Sequence, residues 1–239
     1  MHDLGTVLWK ESAEFAGNRR FLRTFGFAVL IMGLLPVLSR QTAAAGASGA
    51  ALTMFVSLLY ALFSGVIVVA QTAPDLVLHE RSGRTLEYLL ATRLSDAAIF
   101  AGKVIVGAAV GYCSSLLTVL IQLLAVNLRG GGGAWTWYYL AEPWGRLLVF
   151  AAPAALAVYI ATVGTFVALR VGDQRAAYMV TMLSVALLAV PFLLHILTLQ
   201  FTMSWIAHAV IVLAGLALVL VAVGVRLFRR EMLVLYLQE

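Results

Sequence analysis

Apolar and polar positions in this chain alternate on a long scale, in blocks of about twenty residues rather than with the short periods of a soluble helix or strand. Six blocks are long enough, or nearly so, for a membrane helix, which needs about 20 mostly apolar residues. They cover 21–38, 50–73, 97–125, 145–169, 176–198 and 204–227. Pro36 lies near the end of the first and Pro74 is expected to stop or kink the second. Glu142-Pro143 reads as a helix start with proline in the first turn, and Pro191 as a bend. Ahead of these, Leu4, Val7, Leu8 and Phe15 fall near one face at helical spacing, while Lys10 and Glu14 lie four apart on another. This pattern predicts an amphipathic helix within 1–20, lying along the inner leaflet with Trp9 and Arg19-Arg20 at the membrane edge. The expected fold is an all-α integral membrane protein of six transmembrane helices, forming a single domain over 1–239.

Composition agrees with that pattern. The 239 residues are 63% hydrophobic and 11% charged, with a mean hydropathy of +1.00. A soluble domain carries about 25% charged residues, and the blocks far exceed the roughly 10-residue strands of a membrane barrel. The net charge of +5 does not point to nucleic acid, because the basic residues flank apolar blocks instead of lining one soluble face. They act as topology signals. With six crossings and the N-terminus inside, 13 of the 16 Lys and Arg fall on the inner side, leaving Arg40, Arg129 and Arg146 outside. The positive-inside rule then places both termini in the cytoplasm of a multi-pass protein of the cell's inner membrane. Nothing before the first block resembles a cleavable signal, since Asp3, Lys10, Glu11, Glu14, Arg19 and Arg20 precede it.

Two connections stand out. The outer one, 126–144, holds Gly130 to Gly133 and then Trp135, Trp137, Tyr138, Tyr139 and Trp144, which suit the membrane–water interface or a short re-entrant lid. The inner one, 75–96, is a dense polar island, "DLVLHERSGRTLEYLLATRLSD".

Local chemistry is mostly excluded. His79-Glu80 opens like H-E-x-x-H, but Gly83 stands where the second histidine belongs. Ser64-Gly65 lacks the upstream glycine of a nucleophile elbow. Ala101-Gly102-Lys103 is no P-loop, because Ala97 and Val104 occupy the positions that need glycine and a hydroxyl. The chain therefore carries no nucleotide motif and no catalytic or metal set of its own. Cys113, the lone cysteine, reads as a small packing residue. No carboxylate lies well inside a block, which argues against a proton-driven carrier. Tyr60, Ser64, Gln71, Tyr178, Thr181 and Ser184 either bond helix to helix or line a translocation path, and Gly107 with Gly111 forms a close-packing G-x-x-x-G. His195 and His208 flank the last outer turn; they are ordinary neutral histidines, or a pair for a metal or haem.

The island carries a resemblance. Glu80, Arg81, Gly83, Thr85, Leu86, Glu87, Leu89, Leu90, Thr92 and Ser95, followed by Gly102-Lys103 in the third block, resemble the segment between the second and third helices of type 2 ABC exporter permeases. Arg84 stands between Gly83 and Thr85, and Arg93 replaces the family's usual proline, so no narrow subfamily follows. The resemblance implies a permease subunit without enzymatic activity. It would pair with a second permease subunit and dock on an ABC ATPase that binds ATP and magnesium. A coupling helix within 75–91 would transmit the ATPase's motion, using Asp75, His79, Glu80, Arg81, Gly83, Arg84, Thr85, Leu86, Glu87 and Leu90. The leucines would fill an apolar groove and the charges would set register at its rim. The expected cargo is a lipid-like or amphipathic small molecule drawn from membrane lipid. Haem-export permeases of cytochrome c maturation have a similar architecture. A carrier or channel independent of ATP is the alternative from another class.

Overall fold

The computed structural model describes residues 2–38, 47–82, 95–129, 137, 139–197 and 203–228. Those residues form helices and short connections, with no strand among them. The helices are α1 (His2–Gly17), α2 (Arg19–Leu38), α3 (Ala47–Ser82), α4 (Asp96–Arg129), α5 (Pro143–Arg170), α6 (Gln174–Leu197) and α7 (Met203–Leu227).

The helix starts follow from capping chemistry. The Phe21 N–H donates to Asn18 Oδ1 (3.3 Å), the Ala98 N–H to Ser95 Oγ (3.3 Å) and the Ala176 N–H to Asp173 Oδ2 (3.0 Å). Pro143 opens α5 as expected, after an extended Glu142. Pro74, in contrast, does not end α3, which continues to Ser82. The ring is buried against Gly164 of α5, where an added Cβ would stand 3.2 Å from Pro74 Cδ and 3.0 Å from Ala73 Cβ. Packing on a glycine accepts the proline inside the helix. Pro36 also lies within its helix, and its missing N–H leaves the Met32 carbonyl without an α-helical donor. Gln122 Nε2 of α4 supplies one at 3.3 Å and donates to Ser57 O of α3 at 3.1 Å. One side chain thus joins three helices at a proline. In α5, a π-type turn over Leu147–Ala151 leads into Pro153.

The core is the antiparallel pair α3 and α4, with α5 across it and α2 on the other flank. Contacts at Ser57–Gln122, Gly65–Gly111 and Glu80–Lys103 fix the antiparallel register. Gly65 and Gly111 let the two backbones meet, since a Cβ on either would collide with Ser115 or Val69. Ser64 Oγ lies 2.7 Å from Thr118 Oγ1 beside this crossing. Gly107 meets Ala73 and Ala161 at the next crossing inward.

The outer faces are apolar. Leu30 and Leu34 of α2, Met179 and Leu187 of α6, and Ile211 and Leu218 of α7 are exposed. Polar residues inside and apolar residues outside is the arrangement of a multi-pass membrane protein. Among the described residues five helices are long and apolar enough to cross: Met54–Arg81, Asp96–Leu128, Pro143–Arg170, Gln174–Pro191 and Trp205–Leu227. The apolar part of α2, Phe21–Pro36, is shorter, about 24 Å at 1.5 Å per residue against a hydrocarbon core of about 30 Å.

Candidate functional site

Below the glycine crossings, α3 and α4 end in a buried cluster of charges. Lys103, in the second turn of α4, is 2% exposed, Glu80 near the end of α3 is 2%, and Glu11 of α1 is 0%. An ammonium has three N–H donors. Lys103 Nζ donates to Glu11 Oε1 at 2.8 Å and to the Leu76 carbonyl at 2.7 Å, and it forms an ion pair with Glu80 Oε2 at 2.7 Å. Lys10 closes the group from the solvent side, pairing with Glu80 Oε1 and lying 3.5 Å from Glu14 Oε1 and 3.7 Å from Glu11 Oε1. Two buried carboxylates and two ammoniums balance, which is the condition for holding charge out of water. Carboxylate oxygens of Glu11, Glu14 and Glu80 lie within 4.8 Å of one another, and the lysines bring the positive charge that such a group would otherwise draw from a cation.

Helix α1 reaches this cluster because Gly102 gives it room. A Cβ at Gly102 would run into Val7, which is 1% exposed. The apolar face read from Leu4, Val7 and Leu8 therefore packs on α4, and Glu11, one turn after Val7, enters with it. Burial holds the Glu11 carboxyl above its usual range, opposed by the Lys103 charge and hydrogen bond. For Lys10, burial works against the charge, but the hydrogen bond from Lys10 to Glu80 and the charges of Glu80, Glu11 and Glu14 outweigh it and raise the pKa.

The expected coupling residues divide. Asp75, His79, Glu80 and Arg81 lie on the last turns of α3, whereas Gly83, Arg84, Thr85, Leu86, Glu87 and Leu90 fall outside the described residues. Glu80 points inward to Lys103 and not outward to a rim. Asp75 accepts a hydrogen bond from Gln174 Nε2 at the start of α6, and Arg81 passes the turn at Gly172. His79 is exposed.

The six residues expected either to bond helices or to line a path are also placed. Ser64 is buried and donates to Ala61 O (2.9 Å), Thr181 is buried and donates to Ala177 O (2.8 Å), and Ser184 donates to Thr181 O (2.7 Å). Tyr60 and Gln71 are half-buried, and Tyr178 packs against the α3–α4–α5 core. The His195 side chain lies outside the described residues, while His208 is exposed on α7. At the opposite end, Tyr139 of the expected interfacial loop is 1% exposed among Met54, Phe55, Leu58 and Ile206, and Gly145 makes room for its carbonyl.

Sequence reasoning missed Lys10 and Glu11 as site residues. The available signal was a carboxylate on the otherwise apolar face of α1, four residues after Val7. A scan against models of known protein families finds no match, and neither does a search of curated proteins.

Proposed function

We propose that the chain is the membrane-spanning subunit of an ATP-driven ABC exporter, with six crossings including α2, both termini at the cytoplasmic face, and its ATPase on another chain. The supporting observation is the base of the polar segment 83–94. Its flanking helices, α3 and α4, are tied by the Glu80–Lys103 ion pair, and α1 is tied to both through Glu11 and Lys10. A force delivered to the facing ends of α3 and α4 then moves these three helices together. The sequence resemblance of that segment points to an ABC ATPase as the partner, with a second permease subunit completing the complex. The cargo under this reading is a lipid-like or amphipathic molecule.

The test is charge reversal in the segment itself. Arg84→Glu with Glu87→Lys, in a complex purified with an ATPase encoded by a neighbouring gene, is expected to separate the two chains or abolish stimulation of ATP hydrolysis. Unchanged assembly and unchanged stimulation would reject 83–94 as the coupling element.

A further inference from the structure

The two buried carboxylates of the cluster are not equivalent. Glu80 has an ammonium on each oxygen, Lys10 at Oε1 and Lys103 at Oε2. Glu11 has both ammoniums on one oxygen: Oε1 lies 2.8 Å from Lys103 Nζ and 3.7 Å from Lys10 Nζ. Its Oε2 is buried and has no hydrogen-bond partner among the described residues. An ionised carboxylate only accepts, and a buried charged acceptor left unmet is costly. The charge count is uneven as well. Glu14, at the exposed rim, lies 3.5 Å from Lys10, so three carboxylates face two ammoniums. Among the described residues, α3 brings Glu80 to Glu11, α4 brings Lys103, and α1 itself brings Lys10 and Glu14. Arg19 and Arg23 of α2 are exposed.

We infer that the cluster is a proton-binding site: Glu11 takes up one proton at Oε2, and the uptake tightens the seat of α1 on α3 and α4. A neutral carboxyl is far less costly to bury than a carboxylate. Its Oε1 still accepts from Lys103, so the seat keeps that hydrogen bond. One added proton also brings three carboxylates and two ammoniums to neutrality. Burial holds the Glu11 carboxyl above its usual range even against the Lys103 charge. When α1 lifts away, Glu11 meets water and returns to that range, about 4.3. The seated state therefore binds the proton more tightly than the released one. By linkage, the added hold is complete below the released value and is lost as pH rises through the seated one. This phase is distinct from the titration of Lys10, which acts in the alkaline range. The inference needs only the cluster and holds whatever drives the protein.

The experiment uses the full chain in mild detergent, carrying Cys113→Ala and Val7→Cys. Val7 is 1% exposed against Gly102, so a thiol there reacts when α1 lifts. Maleimide labelling is followed from acid to neutral pH. Each rate is divided by that of the same thiol in dodecyl sulfate, which removes the thiol's own pH dependence. The ratio is expected to fall on acidification, by about tenfold for each pH unit between the seated and released Glu11 values. In Glu11→Gln it should stay low and flat. A flat ratio in the parent, or one that rises on acidification, overturns the inference whether or not Glu11→Gln folds. A pH response that survives in Glu11→Gln assigns the proton to another group and also overturns it. So does a response to magnesium at fixed pH in place of the response to pH, which would put a cation beside Oε2. A protonated-carboxyl C=O band in the infrared spectrum should appear over the same pH range and be missing from Glu11→Gln; a parent without that band refutes the site.

Discussion

Replacing Lys103 with Met should release α1. The substitution leaves Glu11 and Glu80 buried side by side, with Lys10 as the remaining cation on their solvent side. The side chains of Glu11, Lys103 and Glu80 are 0%, 3% and 3% exposed, so water screens little of the loss. Removing one partner of a buried ion pair costs about 3–5 kcal/mol. That corresponds to roughly two to three and a half powers of ten in an opening equilibrium. Val7 reports the opening directly, because docked α1 hides it against Gly102. In Cys113→Ala, a Val7→Cys thiol should react with a water-soluble maleimide faster by that factor when Lys103→Met is added, up to the limit set by full undocking. The deficit should shrink on acidification, as Glu11 takes up a proton. Adding Glu11→Leu should restore slow labelling to within about 1 kcal/mol of the parent, since an apolar pair of similar volume is often neutral and Glu80 keeps Lys10. Parent-like labelling in Lys103→Met, or a double variant that loses the sum of both single losses, would refute the account of the cluster.

Other perturbations test the bundle. Gln122→Leu should lower thermal stability in detergent by about 1–3 kcal/mol, because Met32 O loses its donor beside Pro36. Adding Pro36→Ala should recover much of that loss by restoring the helical N–H; no recovery would mean that Gln122 acts otherwise. Gly111→Leu should destabilise by about 1–3 kcal/mol or more through its clash with Val69, and a stable variant would contradict the close crossing. The raised pKa of Lys10 adds docking stability that is complete below the usual lysine range, about 10.4, and is lost as pH rises through the docked value. Val7→Cys labelling should therefore accelerate at strongly alkaline pH, and that phase should disappear in Lys10→Met.

The helices were legible because their signals are local. The spacing of Leu4, Val7 and Leu8 marks α1, and Glu142-Pro143 marks a start that a single stretch of sequence reveals. The stop expected as one outcome at Pro74 does not occur, and the reason is the same. Its tolerance depends on Gly164, on a helix far away in sequence, and no local rule supplies that neighbour. The polar island divided along this line as well. Its charged character is plain in the sequence, and the inner placement expected for it rests on charge placement alone. The inward turn of Glu80 was not legible, because it depends on Lys103 and Lys10 arriving from two other helices. A charged residue read alone looks like a surface residue; three helices together make it a buried one.

Under the proposed function, another chain's ATPase drives this protein through the segment between α3 and α4. The direct test is purification of the tagged full chain in mild detergent, co-expressed with any ABC ATPase that a neighbouring gene encodes. A stoichiometric ABC ATPase is expected in the purified complex, with ATP hydrolysis that rises on assembly. A chain that purifies without any ATPase, and that moves solute in vesicles without ATP, would contradict the proposed function.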